Sequence, residues 1–353
     1  MSGSRGSLSA VLAVLVLLSL ACAGGVSDVE LEQPPLAVMH WGTEAAQAHA
    51  EWMKGASRGP LKRGVARGED LGRLFGAPDD PEASSWSQRY PGRLALLDPT
   101  SGTVRRLQVA PPGAVPLDWS ADHSRLLFAA RVKRAYWQLH MYDLGTQEVI
   151  QLTHGRYHHA RGAFGPNGRL AFTRNTSGGR ERSLMVQDST ARPARTLIEG
   201  VYIERVSWSP RGDMIVAAVE EPSRRRGSSK PVRTLVAISP DAPTQVWPPS
   251  QGMELKPLGR GLWPAYGTTG DWFVFSAVVG DRPRLRRMRA DGGGRRDIGS
   301  GERGEFEAAL SPDGNLVAYI SAENNIRRLF VRRIDGSGER MVATDGLVGS
   351  PIW

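Results

Sequence analysis

Cysteine is all but missing from this chain. A single one, Cys22, stands among 353 residues. That excludes an intramolecular disulfide framework and a thiolate-cage metal site. Long apolar runs are missing too. The one sustained run, Leu8–Leu20, is short for a spanning helix. Hydrophobic residues make up 40%, too few for a polytopic membrane protein. Catalytic signatures are equally scarce. No Gly-x-Ser-x-Gly elbow, His-Glu-x-x-His pair or P-loop occurs, and Gly292-Gly293-Gly294 has no helix after it to cradle a phosphate. No cofactor or resident metal is expected. What the chain has instead is turn chemistry and charge: 41 glycines, 24 prolines, 10 tryptophans and a net charge of +9.

Residues 1–21 read as an export signal. Arg5 supplies the positive start, and Leu8–Leu20 supplies the apolar core, broken only by Ser9 and Ser19. The run Leu18-Ser19-Leu20-Ala21-Cys22 resembles the lipobox of bacterial lipoproteins. The resemblance implies that the Cys22 thiol carries the lipid and holds the protein on a membrane without a spanning helix. Ala23 rather than Asp after the cysteine leans, by the same resemblance, toward the outer membrane. An ordinary signal-peptidase site at Ala21 or Ala23 is the competing reading. Export removes Arg5 alone among the charged residues, so the positive charge survives. It also makes nucleic acid an unsuitable partner and points to anionic envelope polymers or acidic proteins.

Five short segments repeat one plan, an apolar anchor, a small residue and a turn. They begin at Trp119, Phe164, Trp208, Tyr266 and Leu310, spaced 45, 44, 58 and 44 residues apart. Trp353 falls 43 residues after the last. Within them Pro166-Asn167-Gly168 and Pro312-Asp313-Gly314 suit tight turns, because proline presets φ and glycine accepts φ > 0. A β-type run follows each turn: Arg125–Ala130, Arg169–Thr173, Met214–Val219, Trp272–Val278 and Leu316–Ser321. Third runs follow at Gln138–Asp143, Ser183–Gln187, Thr234–Ile238, Arg284–Arg289 and Arg328–Ile334. Four strands in about 44 residues is the repeat of a β-propeller blade.

The pattern resembles the TolB-like six-bladed propeller family. Ser311-Pro312-Asp313-Gly314 with Leu316–Ser321, Trp208-Ser209-Pro210 and Leu152-Thr153 carry the likeness. The expected fold class is all-β: six four-stranded antiparallel blades over residues 86–353, after a signal and a tether. The sixth blade holds Arg93–Asp98 and Val104–Leu107, and its missing strand comes from Ser350–Trp353, which closes the ring and removes an exposed edge. Leu74-Phe75-Gly76 is the competing source. Residues 22–85 read as the tether, with one short helix over Glu44–Lys54, Thr43 as its N-cap and Ala45, Ala48 and Trp52 as its apolar stripe. That stretch is too short for the α/β domain that the resemblance would place before the propeller. Insertions at Arg224–Lys230 and Pro248–Pro257 account for the 58-residue spacing.

The loops leading into the innermost strands are the expected binding mouth. They hold His158, His159 and Arg161, then Tyr202, Glu204 and Arg205, then Trp263, then Glu305, Phe306 and Glu307, and finally Asp345. Acids, bases and aromatics together make a recognition surface. His154, His158 and His159 could ligate a transition metal only if the chain folds sharply, because adjacent residues of a strand face opposite sides. The resemblance implies a non-enzymatic envelope scaffold with protein or polymer partners. A metal-dependent propeller lactonase or esterase is the alternative, and the apolar inner strands weigh against it.

Overall fold

The computed structural model describes residues 33–56, 90–133, 136–176, 182–189, 192–220, 232–249, 254–267, 269–279, 282–323 and 326–353. The chain opens with β1 (Leu36–Trp41) and α1 (Thr43–Ala56), then β2 (Arg93–Leu97) and β3 (Val104–Arg106). The first complete blade is β4 (Val115–Trp119), β5 (Arg125–Val132), β6 (Tyr136–Asp143) and β7 (Val149–Gln151). The second is β8 (His158–Phe164), β9 (Leu170–Asn175), β10 (Arg182–Gln187) and β11 (Arg195–Glu199). The third is β12 (Ile203–Trp208), β13 (Ile215–Glu220), β14 (Arg233–Ile238) and, after a detour through β15 (Gln245–Val246), β16 (Lys256–Arg260). The fourth is β17 (Leu262–Tyr266), β18 (Trp272–Val279), β19 (Arg282–Arg289) and β20 (Arg296–Asp297). The fifth is β21 (Gly304–Leu310), β22 (Leu316–Glu323), β23 (Ile326–Arg333) and β24 (Arg340–Val342), and β25 (Leu347–Ile352) completes the set.

These strands form six sheets. The innermost strands β4, β8, β12, β17, β21 and β25 touch in that order around a ring, and β25 returns to β4. The fold is an all-β six-bladed propeller of antiparallel four-stranded blades. The turns work as their composition requires. The Ser311 hydroxyl accepts from the Leu316 amide (2.9 Å), Asp313 accepts from the Asn315 amide (3.0 Å), and Gly314 closes the loop onto the Ser311 carbonyl (2.8 Å) at φ +73°. That φ favours a residue without a Cβ.

The sixth blade corrects two expectations. Its order is β25-β1-β2-β3, so a strand from the expected tether lies between the two chain-distant pieces. β1 pairs antiparallel with β25 on one side and β2 on the other, and all six of its residues are buried. The propeller therefore takes in Leu36–Trp41 and does not start at residue 86. No repeat turn precedes β1, because its inner neighbour lies more than 300 residues away in sequence. Gln33 and Trp353 tie the joint: the Gln33 amide donates to Asp313 (2.9 Å), and the Trp353 indole donates to the Pro34 carbonyl (2.8 Å). The Leu74-Phe75-Gly76 alternative lies outside the described residues.

Two further points differ from the sequence reading. The Thr43 hydroxyl donates to the Asp345 carbonyl (2.7 Å) instead of capping, and the first helical bond runs from Ala46 N–H to Gly42 (3.0 Å). The chain just before the proline-rich insertion crosses to the neighbouring blade, where β15 (Gln245–Val246) adds a parallel fifth strand beside β11. The basic insertion Arg224–Lys230 lies outside the described residues.

The core is divided among the blade interfaces. One cluster joins the second and third blades around Ala163, Leu184, Ile198, Trp208 and Ile215. Others join the third to the fourth around Phe273 and Phe275, and the fourth to the fifth around Tyr319 and Phe330. The sixth blade packs on both its neighbours. Each sheet is apolar on both faces because both faces meet another sheet. The fit is close: a Cβ on Gly165 would stand 2.7 Å from the Trp208 ring of the next blade.

Candidate functional site

A β-bulge interrupts the pairing of every innermost strand. In four of them a non-glycine residue takes the left-handed conformation: Arg161 (φ 49°), Trp263 (φ 49°), Glu307 (φ 51°) and Ser350 (φ 49°). Each stands three residues before its anchor, and Arg205 and Pro116 hold the equivalent places. Bulges re-aim side chains, and sites collect at them. Here they bring Arg161 and Glu307 close enough for Arg205 to feel both charges.

The mouth where the innermost strands begin is not the open funnel expected. Val115, Leu262, Trp263, Phe306 and Leu347, from near the starts of four of those strands, share one apolar cluster with Met39 and Trp41. Ala45, Ala46 and Ala48 of α1 pack on it, and α1 lies against β1 and β25. His49 of the same helix is buried, and its imidazole is pushed down to about 4 by burial and the Arg327 charge.

The expected site residues do other work at this end. His159 is buried and bonds Gln138 Oε1 (2.9 Å), which also accepts from Thr153 (2.8 Å). Burial, with the charges of Arg174 and two other histidines, pushes His159 down to about 4. His158 faces the other way, accepting from the Trp137 amide (3.3 Å) and leaning on Tyr136. Among the described residues no group of three His, Cys, Asp or Glu side chains is arranged to hold a metal. Tyr202 lies under Arg182 and Arg233, and Arg233 pairs with Glu204 (2.9 Å). Glu305 is sealed between blades: it accepts from the amides of Leu285 (2.9 Å) and Ser300 (3.1 Å) and from Arg332 (3.1 Å). Glu307 pairs with buried Arg327 (2.6 Å) and accepts from the Ser350 amide (2.7 Å). Trp263 packs edge-on against Phe306. Asp345 is exposed and bonds His40 Nε2 (2.9 Å), while Arg106 donates to His40 Nδ1 (3.2 Å). Two bonds of that sense make His40 a neutral ring with its proton on Nε2.

Among the described residues nothing covers the opposite mouth. Here the innermost strands end in Trp119, Phe164, Trp208, Tyr266, Leu310 and Trp353, and a cavity of about 310 Å³ lies among them. Ser120, Gly165, Ser209, Gly267 and Ser311 form its rim. Asp118 and Arg205 also line it, within the channel. Both are surrounded by protein yet keep accessible surface, because they face the cavity. Asp118 accepts from the Phe164 amide (2.7 Å) and so straps the first blade to the second. Burial pushes its carboxyl up to about 7 against that bond and the Arg205 charge. Arg205, the bulge residue of β12, is the one expected site residue that lines this cavity. Asp118 escaped sequence reasoning, although the residue before the anchor is small or apolar in every other blade: Ala163, Ser207, Ala265, Ala309 and Ile352. An acid in that series is the signal that was available.

Fold and channel together define a six-bladed β-propeller of TolB-like architecture. The chain is similar in structure to TolB from Acinetobacter baumannii (TM-score 0.59, 14% identity, 91% of this chain and 66% of that one). It is also similar to a putative TolB from Agrobacterium tumefaciens (TM-score 0.53, 18% identity, 68% and 84%). In sequence it is 32% identical over 91 residues to the Tol-Pal system protein TolB of Anaeromyxobacter dehalogenans strain 2CP-C. That match covers 26% of this chain and 21% of the relative, so the chain spans about a fifth of the curated relatives it matches. No family model matches the sequence.

Proposed function

We propose that this chain is a non-enzymatic, lipid-anchored protein of the bacterial cell envelope that binds a segment of an envelope protein or anionic envelope polymer at the open mouth of its propeller. The observation that carries this reading is the cavity itself. All six innermost strands contribute to it, its walls are aromatic and apolar, and its floor is charged. Such a combination of apolar wall and few polar groups is what ligand sites share. The signal-like start and Cys22 support export and anchoring in the periplasm, with Ala23 favouring the outer membrane. The likeness to Tol-Pal system proteins supports an envelope partner.

Crosslinking and pull-down from envelopes tests the binding. Ala121 is exposed on the cavity rim, so Ala121→Trp fills the mouth without disturbing the fold. Wild type is expected to capture a partner that Ala121→Trp loses. Equal capture by both sinks the reading. For the anchor, Cys22→Ser is expected to abolish palmitate incorporation and release the protein from membranes.

A further inference from the structure

The floor of the open mouth has unused bonding capacity. Among the described residues the Arg205 guanidinium makes no hydrogen bond or ion pair, although it is surrounded by protein and faces the cavity. Burial pushes its pKa down, but an arginine remains charged at physiological pH. A cation held this way is unfavourable unless something compensates it. Asp118 and Glu307 act on it only through space. Neither is freely available. Glu307 is committed to Arg327 and the Ser350 amide, and Asp118 accepts from Phe164 with a carboxyl raised to about 7.

The walls are largely aromatic. Among the described residues the indole N–H groups of Trp119 and Trp208 and the Tyr266 hydroxyl are buried and have no acceptor. A buried donor left unmatched is destabilising. All three belong to residues lining the cavity. A volume of about 310 Å³ stands at the lower end of ligand pockets, roughly 300–1,000 Å³. It admits one apolar group rather than a folded element.

Resting on the reading of this mouth as the binding site, we propose that the cavity is a carboxylate site: an apolar or aromatic group enters between the anchor residues, and its free carboxylate docks on Arg205. The guanidinium fork matches a carboxylate in geometry as well as charge. The carboxylate belongs either to a small organic acid or to the last residue of a peptide.

Calorimetry on the purified full-length chain tests this with N-acetyl-L-tryptophan and its uncharged analogue N-acetyl-L-tryptophanamide. The acid is expected to bind at least tenfold more tightly than the amide. Arg205→Gln is expected to lose that preference. Arg205→Lys, which keeps the charge, is expected to retain part of it. Thermal melts and near-ultraviolet circular dichroism establish that both variants fold. Ala-Ala-Trp with a free terminus, tested against its terminal amide, separates the sources. A tripeptide acid binding at least tenfold more tightly than the single residue identifies a peptide terminus, and equal affinity identifies a small acid. Acid and amide binding alike, or neither binding, overturns the proposal, as does an unchanged preference in Arg205→Gln. Should the acid fail while Ala121→Trp still abolishes partner capture, the mouth remains the binding site and only its carboxylate chemistry is wrong.

Discussion

At one end of the channel the innermost strands begin beneath α1, where Trp263, Phe306 and Leu347 share an apolar cluster with Met39 and Trp41. At the other end the same strands finish in a ring of anchors around an open cavity. Strands and bulges are common to both ends. The difference comes from the segment before the repeats. β1 inserts into the sixth blade, and the helix that follows it after one residue, Gly42, settles on the nearer mouth. Ring closure and plugging are thus achieved by one continuous piece of chain. Among the described residues the far mouth carries only short turns of the Ser-Pro-x-Gly type, which leave the channel uncovered. The closed end is packed as core, and the open end is where we place the binding site.

The comparison breaks most sharply at the buried pair under the plug. Replacing Glu307 by Gln removes the carboxylate facing Arg327, which is only 3% exposed. Breaking a buried pair by losing one partner costs about 3–5 kcal/mol. Urea unfolding is expected to show a loss of that order. Phe306→Ala should follow closely: it empties part of the plug cluster and exposes the Trp263 edge. Truncating a buried phenylalanine costs about 3–5 kcal/mol. Losses well under 1 kcal/mol for both would mean that the plug is a loose covering rather than part of the core.

The repeat strands were legible because turn chemistry is local. The run at Leu316–Ser321 became β22 and Gln138–Asp143 falls within β6, since each begins or ends at a turn whose residues fix φ. β1 was not legible. Leu36–Trp41 is a short apolar run with no turn motif, and its inner partner is supplied from the far end of the chain. The bulges escaped for a related reason. Register is a property of two strands, and nothing in Arg161 or Glu307 alone announces a positive φ. Both ends of a propeller have polar loops, so composition did not say which mouth a helix would cover. The residues expected in the loops at the first mouth lie on the innermost strands or just before them. Their side chains had gone into pairs such as Glu204 with Arg233 and His159 with Gln138.

The two ends should also respond oppositely to pH. His49, under the plug, is pushed down to about 4 from 6.5. Between those values the unfolded chain binds the extra proton, so this histidine makes stability rise as pH climbs from about 4 to 6.5. Asp118, at the open end, is pushed up to about 7 from 3.8. There the folded state holds the extra proton, and stability falls as pH climbs over that window. His159 acts in the same sense as His49 and partly masks the Asp118 slope in the wild type. Differences between variants isolate each group. Urea midpoints measured from pH 4 to 8 should rise less steeply with pH in His49→Gln. In Asp118→Asn they should rise more steeply than in the wild type. The same slope change in both variants would show that the two ends are electrostatically alike.

The smallest effect belongs to the open rim. Ser120 accepts from the Arg125 amide (3.0 Å) and donates to Asp122 (2.6 Å), and it lines the cavity. Its hydroxyl closes the turn after β4 just as Ser311 does after β21. Ser120→Ala removes one intramolecular acceptor at a place where water can reach the freed amide. The expected loss is therefore near the ordinary worth of a single hydrogen bond, about 1 kcal/mol. Because the residue borders the cavity and not the plug, partner capture should survive in proportion to the folded fraction. A loss as large as that of Phe306→Ala would show that the open rim is as much a part of the folding core as the closed end. The contrast between a structural mouth and a binding mouth would then have to be abandoned.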